Sequence, residues 1–404
     1  MNTNSLLLLT KDAQCKAYYP MYGNSYWKSQ MPNMEELADK GTVFNKFYTA
    51  APSSNMSYLS MFTMKYPYQQ EIKEYVGMEK DYEGTTFFNK LNEKGYKCHI
   101  IWDDSWNPDI KYARCYNGCI IHGISGLKQG VGCHYAHSEP LQENEDIALS
   151  TLKEFEKLIE YICNGDDKVF IWCHLPHVLN GRVGYGGDMD LYDKYLGVLR
   201  KYFVDDNIFI SADHGNMNGA KGKVCYGFDV YEEAINIPLI TPRINNMKEC
   251  NDIISNIDLW KIILDRTVCK REYVLSDSAY YAQPRRKLAI VYRNYKYIYN
   301  KIDKSEELYD LSWDPSENFN LISDRVFDGD RKMTCISSEY YFYPLWNKLP
   351  EIRKHVRAIK DSIWREETGK AKKYNKLKII VSSKYPHLYS FIVRKLIKII
   401  PRNL

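Results

Sequence analysis

Four residues of this chain carry the chemistry to trace first: Asp12, Ser54, Asp213 and His214. Asp213 and His214 belong to NIFISADHG, residues 207–215, where an apolar, β-prone run at 208–210 gives way to Ser211-Ala212 and then Asp-His-Gly. Such runs fill central parallel strands, and open α/β sheets bind ligands beyond the carboxyl ends of their strands. An acid and an imidazole placed there offer an oxygen and a nitrogen to one metal ion, with Gly215 expected to let the backbone turn. The alternative is a capping aspartate beside an ordinary polar loop histidine. Asp12 follows a second apolar run, and Ser54 stands where MSYLSMFT begins, with Met56, Leu59, Ser60 and Thr63 at helical spacing. Two carboxylates, a hydroxyl and an imidazole suit one divalent cation that also lowers the pKa of the serine hydroxyl. A helix N-terminus favours an alkoxide or a bound oxyanion in the same place, although a serine there also serves simply as an N-cap.

The elements needed to position these groups follow from spacing. Residues 5–10 form the first expected strand, ending at Lys11-Asp12. Past an aromatic loop, Pro32-Asn33 opens a helix whose Met34, Leu37 and Ala38 share a face and whose Gly41 suits a C-cap. Residues 85–94 read as an amphipathic helix, 96–102 as a strand, and 103–145, rich in Gly, Cys and His, as loop. A helix at 146–162 precedes a strand at 168–173 that runs into His174-Leu175-Pro176-His177, and a helix at 192–203 delivers the chain to the Asp213 strand. This alternation predicts a doubly wound α/β sheet. Beyond 237–240, the shorter aromatic stretches REYVLS, KLAIVYR, YKYIYN and EELYDL predict a small antiparallel sheet. Three parts are expected: a catalytic α/β domain over 1–268, an antiparallel subdomain over 269–325, and a basic, mainly helical tail over 326–404.

Composition narrows the setting. At 404 residues and 45% hydrophobic content the chain is long enough for a large core. No apolar run reaches transmembrane length, and the four leucines at 6–9 lack the flanks of a signal peptide. Eleven scattered cysteines without an export signal read as reduced thiols of a cytoplasmic protein. Cys115, Cys119, His122, Cys133 and His134 match no standard zinc spacing. The net charge of +4 hides an asymmetry, because residues 351–404 hold 15 Lys and Arg against 4 Asp and Glu. In 391–400, FIVRKLIKII, apolar and basic residues fall on opposing helical faces, and 370–378 adds five lysines. Such a tail suits peripheral contact with an anionic inner membrane face, or else packs back on the catalytic domain. No nucleic-acid partner is expected, since the basic residues belong to no recognition fold.

Six stretches taken in order, NSLLLLTKD, MPNMEELADKGTVFNKFYTAAPSSNMSYLSMFT, VFIWCHLPH, IFISADHGN, VYEEAINIPLI and YKYIYN…EELYDLSWDPSENFNLI, resemble the sulfatase-like family of the alkaline phosphatase superfamily. The resemblance spans about residues 4–322. It implies an α/β fold with a large mixed or parallel sheet sandwiched by helices and a small C-terminal antiparallel sheet. It also implies metal-assisted attack on a phosphorus or sulfur ester. Carried over by position, Asp12 falls at or beside the first metal acid, Ser54 at the nucleophile, and Asp213 and His214 at the distal metal pair. His174 and His177 match the region that binds substrate or protonates the leaving group, and Lys221 and Lys223 the place of a lysine on the ester oxygens. One divalent ion, Ca, Mg or Mn, is the implied cofactor, with Ser54 among its ligands.

Two departures sharpen the reading. Sulfatases carry C-x-P-S-R or S-x-P-x-R, where the first residue becomes formylglycine, and this chain has Ser54-Asn55-Met56-Ser57-Tyr58 without the proline or the arginine. Many also have paired acids after strand one, where this chain has Lys11-Asp12. The remaining set looks more like the single-metal phosphotransferases of the superfamily. The expected activity is therefore hydrolysis or phosphotransfer on a phosphoester or sulfoester of a glycan or glycan precursor, with phosphorus favoured. The alternatives are a true sulfatase and a non-catalytic binding protein that keeps only the fold.

Overall fold

The apolar run LLLLTK becomes β1 (Leu6–Lys11), buried along its whole length, as expected of a strand covered on both faces. α1 (Pro32–Lys40), β2 (Thr42–Phe44) and β3 (Phe47–Tyr48) lead to α2 (Ser54–Thr63), followed by α3 (Phe87–Glu93), β4 (Lys97–Asp103) and β5 (Cys119–Ile124). Next come α4 (Leu141–Cys163), β6 (Val169–Leu175), α5 (Gly184–Leu199), β7 (Ile208–Ala212), the short α6 (Glu232–Ile235) and β8 (Leu239–Thr241). β9 (Glu249–Cys250), β10 (Ile254–Ser255) and α7 (Leu259–Asp265) precede four regular strands, β11 (Tyr273–Asp277), β12 (Lys287–Tyr292), β13 (Tyr295–Asn300) and β14 (Glu306–Asp310), and then α8 (Leu349–Lys370). The computed structural model describes residues 4–23, 31–70, 82–103, 115–116, 118–124, 141–165, 167–176, 184–217, 220–223, 226–278, 287–301, 303–322 and 348–370. His177 and the basic stretch 371–404 lie outside them.

The large sheet has the order β5-β4-β6-β1-β7-β8-β2-β9, with β1 hydrogen-bonded in parallel to β6 and β7. Side chains of a strand alternate between the two faces of the sheet. Leu6 and Leu8 accordingly join Phe170, Trp172 and Phe209 in a core shared with α2, α3 and α7. Leu7 and Leu9 join Ile171, Cys173 and Ile210 in a second core under α1, α4 and α5. In register, Thr10 lies opposite His174 on one side and Ser211 on the other, so three strand ends meet at one edge. α2 is buried from Asn55 through Thr63, a helix covered all round, and it lies against this edge.

The four antiparallel strands β11 to β14 form the small sheet. Leu288, Ile290, Tyr297 and Leu308 pack against Leu349, Val356 and Ile363 of α8. The opposite face, with Val274, Val291, Ile298 and Tyr309, packs on Val230, Tyr231, Ala234 and Ile235. The closing stretch of the sequence has a structural part in this contact. Glu317 accepts from the Glu232 N–H at 2.7 Å and pairs with the buried Lys296 of β13 at 2.9 Å, so a small-sheet cation and a C-terminal carboxylate together anchor the start of α6. The described part of the basic tail, α8, holds the small sheet through its apolar side and through Arg353 and Arg357 on Glu306.

The structure departs from the expectation at 103–145, where β5 adds an edge strand and α4 begins at Leu141. CIIHGI is short and interrupted by glycine, and on the exposed edge its Ile120 and Ile121 stay half in solvent, so it carries none of the alternation that marks a half-buried strand. Among the described residues, no helix is long and apolar enough to cross a membrane.

Candidate active site

β1, β7 and α2 deliver the four residues singled out in the sequence to one point. Ser53 is the N-cap and Ser54 the first residue of α2, so Ser54 is not itself the cap. The first helical bond runs from the Ser57 N–H to the Ser53 carbonyl at 2.9 Å, which leaves the preceding N–H groups without an intrahelical acceptor. The Ser54 hydroxyl lies 3.2 Å from Asp12 Oδ1 and 3.0 Å from His214 Nε2. His214 Nε2 is also 3.6 Å from Asp12 Oδ1 and 3.4 Å from Asp213 Oδ2. All three metal-type side chains are buried, while Ser54 is half-buried.

The tautomer of His214 follows from its second nitrogen. Nδ1 lies 2.8 Å from the Gly215 carbonyl, which can only accept, so the ring proton sits on Nδ1 and Nε2 presents its lone pair to the cluster. Tyr226 covers the ring, with centroids 4.5 Å apart. Asp213 is held by its backbone-side oxygen, Oδ1 accepting from the Ala13 N–H at 3.0 Å and the His214 N–H at 2.7 Å.

A divalent ion fits this donor set. Ligands about 2.1 Å from a common ion lie roughly 3.0–3.4 Å apart, and Ser54–Asp12, Ser54–His214, His214–Asp12 and His214–Asp213 lie 3.2, 3.0, 3.6 and 3.4 Å apart. Asp12, Asp213 and His214 each offer one ligand atom within 4.8 Å of the others. The electrostatics call for a cation too. Burial, and then the charge of Asp213, push the Asp12 carboxyl well above the ordinary carboxylate range. Burial opposes ionisation of Asp213 as well, but His214, His174 and the N–H donors outweigh it and hold its pKa down.

Gly215 is needed for a different reason from the one expected. It does not adopt a positive φ. A Cβ built on it would lie 1.8 Å from the Glu233 carbonyl oxygen, so glycine is required because two backbone segments pass in contact. The Gly215 N–H seals that contact with a 2.9 Å bond to the Ala234 carbonyl.

The remaining expected site residues are placed as follows. His174 is enclosed, 1% exposed, with Nδ1 2.9 Å from Thr10 Oγ1 and Nε2 2.5 Å from the Tyr58 hydroxyl. Lys221 contacts the Glu317 carbonyl and, at 3.1 Å, Asn318 Oδ1. Lys223 pairs with Asp229 at 2.8 Å, a carboxylate it shares with Lys287. These contacts turn both lysines toward the small sheet, not toward Ser54. Lys11 projects to the α5 side of the sheet, where its ammonium meets the Pro176 carbonyl at 2.9 Å and lies 5.7 Å from the Tyr192 ring centre. The ammonium is thus held away from the cluster, although its charge still favours ionised Asp12.

Sequence reasoning missed Ser57 and Tyr58. Ser57 Oγ donates to the Asp213 carbonyl at 2.6 Å, and the Tyr58 hydroxyl donates to Asp213 Oδ2 at 3.0 Å. They stand three and four residues after Ser54, on its side of the helix, and that spacing was the available signal.

Burial also sets a pH dependence of stability. It lowers the His174 pKa to about 4, so the folded protein refuses a proton that the unfolded chain takes up below about 6.5. Stability is intact above that value and falls as pH drops from about 6.5 toward 4, by on the order of 3 kcal/mol. Asp12, shifted upward, works in the opposite direction. The urea midpoint of wild type should therefore drop more between pH 7 and pH 5 than that of His174→Gln, and parallel drops would contradict this.

Comparisons with known proteins bear on the fold. Residues 3–177 match the sulfatase family model. The fold is similar to that of a 2-O glycosaminoglycan sulfatase at 15% identity, covering 90% of this chain and 93% of that one, with TM-score 0.67. It is similar to the phosphonate monoester hydrolase of Agrobacterium radiobacter at 14% identity, covering 87% and 96%, with TM-score 0.61. A third neighbour, solved with its substrate D-glucosamine-2-N,6-O-disulfate, is 15% identical over 85% of this chain and 99% of that chain, with TM-score 0.57. No curated protein sequence matches the chain. The fold is thus the sulfatase-like one, and the family model matches its N-terminal part.

Proposed function

We propose that this protein is a divalent-metal-dependent enzyme that uses unmodified Ser54 to attack a phosphoester of a glycan or glycan precursor, by hydrolysis or phosphotransfer. The observation that carries the reading is the Ser54 hydroxyl at the open end of α2, 3.2 Å from Asp12 and 3.0 Å from His214. Asp12, Asp213, His214 and Ser54 would hold the ion, which supplies positive charge that acidifies the serine hydroxyl and offsets charge on the ester. Ser54 attacks in line and forms a seryl ester, while the free N–H groups of the first turn of α2 bind an equatorial oxygen. His177 protonates the leaving oxygen, and Lys221 or Lys223 reaches the ester oxygens once substrate draws it from its present partner. Water or a sugar hydroxyl then releases the group.

Phosphorus is favoured because Ser54-Asn55-Met56-Ser57-Tyr58 lacks the proline and arginine of the formylglycine signature. The phosphonate monoester hydrolase among the structural neighbours is consistent with that choice, and the sugar sulfate bound by another neighbour supports a glycan substrate. A cytoplasmic enzyme with its basic C-terminal stretch on the inner leaflet would meet a lipid-linked precursor.

The test compares an aryl phosphodiester, an aryl phosphomonoester and an aryl sulfate, each with added Mn²⁺ and after chelation. Turnover of a phosphoester that falls at least ~100-fold on chelation is expected. Turnover of the sulfate alone would restore the true sulfatase, and no turnover with no bound ion would leave the non-catalytic alternative.

A further inference from the structure

Tyr58 stands at the position of the arginine in the sulfatase signature, four residues after the nucleophile. Its hydroxyl donates to Asp213 Oδ2 at 3.0 Å, the same oxygen that faces His214 Nε2 across 3.4 Å. The backing of that phenol is buried and directional. The indole N–H of Trp172 can only donate, and it donates to Thr10 Oγ1 at 2.8 Å. Asp213 Oδ2 takes the Tyr58 proton, so the phenol oxygen is free to accept from His174 Nε2, and Thr10 gives its own proton to His174 Nδ1, 2.9 Å away. With Nδ1 accepting, the ring proton sits on Nε2, the nitrogen 2.5 Å from the Tyr58 oxygen. The phenol accordingly turns its proton outward to Asp213. Trp172 and His174 flank its ring at 4.9 and 5.0 Å between centroids, both edge-on, which limits its rotation.

We propose that Tyr58 is a positioning residue for metal binding: held by Trp172, Thr10 and His174, its hydroxyl fixes the inner oxygen of Asp213 as a ligand. This rests on the metal site described above. An arginine here would set a positive charge beside Asp213, whereas a phenol orients the carboxylate and leaves the negative charge of the acids to the ion. His174, closed off from solvent, acts through Tyr58 and not on the leaving group. Outer partners of this kind are worth roughly 10–100-fold in metal affinity when removed.

The test is calorimetric titration of the whole chain with Mn²⁺, and separately with Ca²⁺, for wild type, Tyr58→Phe and His174→Gln. Tyr58→Phe removes one oxygen and keeps the ring that packs on Trp172 and Phe62. The expected result is a Kd weakened at least ~10-fold in Tyr58→Phe and by less in His174→Gln, with a cooperative melt of the ion-free protein retained. Unchanged affinity in folded Tyr58→Phe would overturn the proposal and leave the metal site standing. A wild type that binds neither ion would overturn both. Should Tyr58→Phe fail to fold, His174→Gln decides: weakened affinity supports the relay, and wild-type affinity overturns it.

Discussion

Ser54→Ala is expected to abolish ester turnover, with kcat reduced on the order of 10⁴-fold or more, while the fold survives. The size follows from the chemistry: without the hydroxyl there is no covalent step, and the residual rate is that of water in a site built for another nucleophile. Stability should change little. The side chain is half-buried at the start of α2, and the cap belongs to Ser53. Its one hydroxyl proton serves Asp12 or His214, a hydrogen bond worth about 1 kcal/mol in net terms. Steady-state turnover and a urea midpoint on one preparation check both halves. Full activity in the folded variant would remove Ser54 from the mechanism.

Gly215→Ala is expected to be the most damaging glycine-to-alanine change among the described residues. The new Cβ would meet the Glu233 carbonyl oxygen at 1.8 Å and its carbon at 2.8 Å. Both are backbone, pinned by the 2.9 Å bond from Gly215 N to the Ala234 carbonyl, so no side chain can swing away. Overpacking ordinarily costs about 1–3 kcal/mol, and a clash of two backbones should reach or pass roughly 3 kcal/mol. Function should suffer further, because the Gly215 carbonyl orients His214 through Nδ1. A shift of that imidazole by about 1 Å would cost roughly 100-fold in rate. Denaturant unfolding and kcat measured together test this, and a wild-type midpoint would show that the close approach can relax.

Much of this architecture was legible because the physics is local. Buried parallel strands declare themselves as apolar runs, so β1 and β7 and the acids beyond them could be read directly, and helical spacing placed Ser54 at the start of α2. The antiparallel strands after residue 270 were legible from their aromatic alternation and turns. What was not legible depends on partners far away in the chain. Nothing near Gly215 announces that Glu233 passes against it. Nothing near Lys221 or Lys223 shows that Glu317, Asn318 and Asp229 claim their ammonium groups. Tyr58 was visible as the loss of an arginine, but its bond to Asp213, 155 residues later, required the fold.

The central claim is that Ser54 is an unmodified nucleophile in a metal-assisted site. Rapid quenching of the enzyme with excess aryl phosphodiester and Mn²⁺, followed by mass analysis of the Ser54 peptide, tests it most directly. An intact serine before mixing, and a phosphoryl adduct on Ser54 that is absent after chelation and in Asp213→Asn, is the predicted result. A serine already converted to formylglycine, or turnover with no adduct on that peptide at any quench time, would contradict it.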